Sequence, residues 1–177
     1  QLDEFIAWKK RKGYLVEVGY TDETAVGGSY NDIQAYIKSK YTGATSENPA
    51  PTYVLLVGDV DQIPAKTVTS GSGWFSTSHP SDLYYFTWTA GDNIPDCYYG
   101  RFSANSVSEL TPQIEKTLMY EKYTMSDPSY LDKAVLIAGT DPSWSRTHAD
   151  GQVNYIATNY INPAYGYSNI YKYNYNC

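Results

Sequence analysis

Apolar residues recur along this chain with a helical period in some stretches and as unbroken short runs in others. In QLDEFIAWKKRKG, Leu2, Phe5 and Ile6 mark one helical face, Lys9 to Lys12 make a basic last turn, and Gly13 marks the stop. Tyr30, Ile33, Ile37 and Tyr41 repeat the spacing behind Ser29 and Asp32, a capping-box pair that uses Asp. Val107, Leu110, Ile114 and Leu118 do so behind Ser106 and Glu109. Pro112 interrupts that run and allows a later start at Thr111, with the proline at the first helical position. Val153, Ile156, Ala157 and Tyr160 predict a fourth helix. The runs YVLLV (53–57) and AVLIA (134–138) read as strands buried on both faces, and YLVEVGY (14–20) and NIYKY (169–173) as further strands. DLYYFTWT and CYYGRF predict a hairpin around the turn AGDNIPD (90–96). GATSENPAP predicts a loop, and the Ser/Thr/Gly-rich residues 65–80 a long surface excursion.

Strands alternating with helices predict an α/β fold, mainly a parallel sheet with helices on both faces. The 177 residues fit one such unit with a real core. A parallel α/β unit usually opens on a strand, whereas this chain opens on a helix. It is therefore expected to be a fragment or mature segment cut from a longer protein.

Composition narrows the partners. A net charge of −6 without a basic run argues against nucleic acid. No apolar stretch approaches the roughly 20 residues of a membrane helix. Twenty tyrosines against four phenylalanines, with abundant Ser, Thr and Asn, suggest an extracellular surface. Cys97 and Cys177 allow one disulfide at most.

Two strands share one ending. YVLLVGDVD runs through Gly58 to Asp59 and Asp61, and AVLIAGTD through Gly139 to Asp141. In parallel α/β sheets, sites form beyond the carboxyl ends of the strands, so these acids are candidate site residues. Each admits a second reading, as a cap that accepts backbone N–H bonds. Asp61 reads first as structural or solvated. In GDNIPD, Asp92 and Asp96 flank the Ile94 carbonyl, and alternating oxygens of this kind suit a hard cation such as Ca²⁺. The spacing is not that of an EF-hand, and an ordinary Asx-rich turn fits it as well. His79 and His148 are the only histidines and read as surface residues. Cys97 reads as a small buried hydrophobe rather than as half of a Cys–His dyad. No nucleophile, phosphate loop or zinc spacing is evident.

Five segments taken in order, YVLLVGDVDQIP, SDLYY, GRFSANSVSEL, LMYEKYTM and VLIAGTDPSWS, resemble the catalytic domain of gingipain-type cysteine peptidases. SYLDKAVLIAGTDPSW is closer to the lysine-specific branch, and the likeness runs from about Phe5 to Tyr173. The resemblance implies a caspase-like fold of two α/β subdomains, of which residues 1–177 match the first. It also implies a secreted endopeptidase that cleaves proteins or peptides after basic residues. The family's catalytic histidine and cysteine belong to the second subdomain, so this chain is expected to be inactive alone. Asp141 matches the acid that orients the histidine. Asp59, Asp92, the Ile94 carbonyl and Asp96 match a calcium site, in which Ala90 replaces one acid and Asp96 stands for a longer Glu. Asp150 falls near the place of an acid that selects the basic side chain, although a helix-dipole role fits it as well. A non-enzymatic α/β binding or scaffolding module is the alternative function.

Overall fold

The computed structural model describes residues 1–71, 76–89 and 91–175. The chain divides into two compact units, Gln1–Lys122 and Tyr123–Cys177.

The first unit begins with α1 (Asp3–Arg11), acidic in its first turn and basic in its last, as the helix dipole favours. α2 (Tyr30–Thr42) starts at the predicted cap: Ser29 accepts the Asp32 N–H, and Asp32 in turn accepts the Ser29 N–H. Four strands follow, β1 (Tyr53–Val57), β2 (Lys66–Ser70), β3 (Thr77–Ser81) and β4 (Tyr98–Phe102). β1 and β4 pair in parallel, Tyr53 beside Tyr98 and Val57 beside Phe102. α3 (Val107–Lys122) closes the unit with Pro112 inside it, so the start is the earlier of the two expected. Ser106 Oγ accepts the Glu109 N–H, and the Glu109 carboxylate accepts the Asn105 N–H.

Val26, Ile33, Ile37, Leu56, Tyr85, Phe86 and Cys97 form the core of this unit, with Tyr85 and Phe86 fully buried. α1 is tied to α3 by polar contacts. Glu121 accepts Trp8 Nε1 at 2.9 Å and Lys12 Nζ at 3.1 Å, and it also pairs with Lys9. Burial pushes its carboxyl up, but the bonds from Lys9, Lys12 and Trp8 outweigh this and bring it down to about 2.

The second unit holds β5 (Lys133–Ile137), α4 (Asp150–Asn159) and β6 (Asn169–Tyr173). β5 and β6 pair in parallel, Lys133 beside Asn169 and Ile137 beside Tyr173. A single π turn, Ser145–Ala149, runs directly into α4.

Three sequence expectations are corrected. Residues 14–20 are not a strand, because their backbone finds no ladder partner among the described residues. The 82–89 run is not a strand either. It contains a 3₁₀ turn, Leu83–Tyr85, which lets the consecutive Tyr85 and Phe86 both enter the core, an arrangement that strand alternation forbids. CYYGRF therefore pairs with β1 instead of closing a hairpin. The hairpin lies in the expected loop: β2 and β3 pair antiparallel, supported by Thr69–Ser78 and Ser70–Thr77 hydroxyl contacts. The described strands form three two-stranded sheets, two parallel and one antiparallel, and not one continuous sheet.

Candidate functional site

The two strand-end turns place their acids differently. In the first unit, β1 leaves its sheet at Gly58, whose φ of 137° lies in the glycine-favouring region. A Cβ there would stand 2.9 Å from Gln62 Cβ. Asp59 comes next. Its Oδ1 accepts the Val60 N–H at 2.9 Å and Ser103 Oγ at 2.8 Å, and its Oδ2 accepts Asn105 Nδ2 at 2.9 Å. The Asp59 backbone N–H donates to the Ala104 carbonyl at 3.1 Å. The Ser103 hydroxyl, then the Val60 N–H and the Asn105 amide, hold the carboxyl below its ordinary value. Asp61 is exposed and accepts no side-chain hydrogen bond among the described residues.

Arg101 of β4 secures the same turn and was missed in the sequence. Its Nε and Nη2 reach Asp82 Oδ2 and Oδ1 at 2.9 and 2.7 Å, a two-pronged pair. Nη1 donates to the Gly58 carbonyl at 2.7 Å and Nη2 to the Ile63 carbonyl at 3.1 Å. The Arg101 side chain is only 11% exposed. A lone arginine inside an otherwise apolar strand, with an acid in the preceding SDLYY segment, was the available signal.

In the GDNIPD turn, Asp92 Oδ1 accepts the Ile94 N–H at 3.1 Å. Asp96 accepts the Trp88 N–H at 2.7 Å and Thr89 Oγ1 at 2.9 Å, and the Trp88 N–H is the main cause of its lowered pKa. Calcium takes about six to eight oxygen ligands. Among the described residues, no three Asp, Glu, His or Cys side chains gather as a ligand group. Asp59, Asp92 and Asp96 are therefore not preorganised as a cage. Ala90 lies outside the described residues.

In the second unit, β5 ends at Gly139, with a φ of 85°. Asp141 Oδ1 accepts the Ser143 and Trp144 N–H groups, each at 2.8 Å. The Asp141 N–H donates to Ser145 Oγ at 3.0 Å, with Ser145 buried beneath the turn. Oδ2 accepts no bond among the described residues, and Asp141 is exposed. The acid is thus capped on one oxygen and open on the other. Asp150 is half-buried at the start of α4, and its Oδ1 accepts the Tyr175 N–H at 2.8 Å.

The remaining candidates are not arranged for nucleophilic chemistry. Cys97 is 7% exposed in the core, and burial pushes its thiol up to about 11. His79 is exposed on β3. His148 is exposed in the π turn, with its ring stacked on Trp144 at 5.2 Å. Cys177 lies outside the described residues. No described helix is long and apolar enough to cross a membrane.

A family model described as Peptidase family C25 matches residues 1–176. The chain belongs to this peptidase family. It is 41% identical to Lys-gingipain of Porphyromonas gingivalis over 97% of its own length and 10% of that protein. Against gingipain R2 of the same organism it is 33% identical, over 97% of this chain and 22% of the relative. A solved structure described as a protease overlays with a TM-score of 0.84 at 40% identity, over 97% of this chain and 36% of that one. The crystal structure of the Arg-specific cysteine proteinase gingipain R overlays with a TM-score of 0.72 at 33% identity, covering 97% and 38%. The C25 chain thus shares the mixed α/β fold of the gingipain structures and stands nearer to Lys-gingipain than to gingipain R2. It spans about a tenth of Lys-gingipain and about a fifth of gingipain R2.

Proposed function

We propose that this chain is part of a secreted cysteine endopeptidase that cleaves proteins or peptides after Lys or Arg. The observation that carries the reading is Asp141, placed after β5 with Oδ1 held by two backbone N–H groups and Oδ2 open. An open carboxylate oxygen on a fixed turn can accept an imidazole N–H. It would hold that ring in one tautomer and favour its charged form when the thiol proton is taken up. Asp141 is then a positioning residue that acts through a histidine. The histidine and the nucleophilic cysteine come from a second subdomain of the same protein. The isolated chain should cleave nothing, and cleavage by it that Cys97→Ala abolishes would overturn the reading.

The test uses the whole catalytic domain. Asp141→Asn should lower kcat by about 10²–10⁴-fold and shift the pH–rate profile while melting changes little. Equal losses of activity and stability, with an unmoved profile, would make Asp141 a turn cap only. Selection of the basic side chain by Asp150 belongs to the same proposal, and Asp150→Ala should then lower kcat/KM for Lys and Arg substrates selectively.

Calcium at Asp59, Asp92, the Ile94 carbonyl and Asp96 is proposed on the family likeness. It requires Asp59 and Asp96 to exchange protein donors for the ion, so binding should be weak. Millimolar Ca²⁺ should raise the melting temperature and a chelator should reverse the rise. Melting that is indifferent to both sinks the site.

One observation favours the alternative, a binding module. Tyr53 stacks on the neighbouring Tyr98 at 5.3 Å and meets Tyr14 edge-on at 5.9 Å, and all three rings are largely exposed. A whole domain that cleaves no basic peptide would shift the reading to that module.

A further inference from the structure

The first unit carries exposed phenol rings at the start of its parallel strand pair. Tyr53 opens β1, Tyr98 opens β4, and the two are partners in the parallel register. Neighbouring strands lie about 4.8 Å apart, so side chains at paired positions stand side by side. The Tyr53 and Tyr98 rings stack at 5.3 Å with 22° between their planes. Tyr14 meets Tyr53 edge-on at 5.9 Å. Tyr53 is 62% and Tyr98 68% exposed. The Tyr98 N–H donates to the Thr52 carbonyl at 2.9 Å, which fixes the two strand starts against each other.

This juxtaposition has a specific redox chemistry. A phenol that loses one electron and one proton becomes a phenoxyl radical, whose unpaired electron is shared between oxygen and the ortho ring carbons. Two such radicals held together join through those carbons. Accessible rings at a small interplanar angle bring their ortho edges together by modest rotations. Other tyrosine pairs lack one of these conditions. Tyr30 and Tyr85 approach to 4.7 Å, but Tyr85 is fully buried. Tyr155 and Tyr160 are exposed, but their rings meet at 62° and 5.9 Å. The sulfurs that would compete for the oxidant are shielded: Cys97 and Met125 are buried and Met119 is half-buried.

We propose that Tyr53 and Tyr98 form an oxidative modification site, at which hydrogen peroxide acting through a haem peroxidase joins the two rings as dityrosine. Each phenol gives one electron and one proton, and these reduce the peroxide to water. The radicals join through one ortho carbon each, and the hydrogens on those carbons move to the phenolic oxygens. The product is therefore lighter by two hydrogen atoms. The link straps the start of β1 to the start of β4, around the segment that carries β2, β3 and the buried Tyr85 and Phe86. Closing a long loop covalently restricts the unfolded chain, as a disulfide does, but thiols do not reopen a carbon–carbon bond. The site is independent of the peptidase reading.

The experiment treats the whole domain that contains this chain, at low protein concentration, with limiting peroxide and a haem peroxidase. Dityrosine fluorescence is followed, monomer and dimer are separated, and the monomer is mapped by peptide mass spectrometry. The monomer should gain dityrosine fluorescence, lose two hydrogens and yield a linked peptide pair containing Tyr53 and Tyr98. Tyr53→Phe and Tyr98→Phe keep the exposed rings and remove the phenol, so each should abolish that link while melting stays close to wild type. Tyr120→Phe, at an exposed site on α3, should leave the yield unchanged. Dimers without an internally linked monomer overturn the proposal. So does a first-formed internal link at Tyr14–Tyr53 or Tyr155–Tyr160, or monomer fluorescence that neither Tyr53→Phe nor Tyr98→Phe reduces.

Discussion

The Gly58–Asp59 and Gly139–Asp141 turns begin from the same sequence figure and reach opposite ends. Each follows a parallel strand, and each uses a glycine at positive φ. Around Asp59 both carboxylate oxygens are consumed by Val60, Ser103 and Asn105, and Arg101 grips the Gly58 and Ile63 carbonyls from outside. The acid there is a latch that ties the end of β1 to the segment between β4 and α3. Around Asp141 the turn is self-sufficient: its own N–H groups hold one oxygen and leave the other to the exterior. A strand, a glycine and an acid thus specify where a carboxylate stands. Whether it is available depends on the donors that distant segments bring to it.

The largest expected effect breaks the latch. Arg101→Ala removes the clamp and leaves Asp82, 21% exposed, without its partner. It should destabilise the chain by about 3 kcal/mol in urea unfolding, as loss of one member of a largely buried pair does. Asp141→Ala should cost less than half as much. Equal costs would erase the distinction between the turns.

Glycine replacement should sharpen it at a smaller scale. Gly58→Ala meets both an unfavourable φ and the Gln62 side chain, and should cost about 2–3 kcal/mol. Gly139→Ala meets only Ser145 Oγ at 3.3 Å, and about 1–2 kcal/mol is expected. A reversed order in thermal melts would contradict the packing described for the Gly58 turn.

The smallest effect is read through pH. Asp59 has a folded value below its ordinary 3.8, so its ionised form contributes stability above that value. The contribution is lost as pH falls through the lower folded value. The melting-temperature gap between the wild type and Asp59→Asn should therefore be widest near neutrality and close below about pH 4. A gap that stays constant from pH 7 to 3 would mean that the carboxylate's charge plays no part in the latch.

Legibility in the sequence followed physical locality. β1 appears at its expected bounds, and the Ser29 and Ser106 caps form, because apolar runs and capping pairs act within a few residues. The β2–β3 hairpin escaped because its strands are Thr- and Ser-rich and hold together through cross-strand hydroxyls instead of an apolar face. The 82–89 segment misled because its aromatic content reads as strand, while the core takes Tyr85 and Phe86 side by side. Site acids were legible as residues at strand ends. Their partners were not, since Ser103 and Asn105 lie more than forty positions from Asp59.

Burial of Cys97 gives the protein a built-in silence toward alkylating reagents. With a thiol at about 11, roughly one molecule in ten thousand carries thiolate there at neutral pH, and the core shields even that fraction. An electrophilic label applied to the native protein would pass over this position. Unfolding before labelling would reveal Cys97. The rate at which Cys97 becomes labelled without denaturant would then report how often the first unit opens.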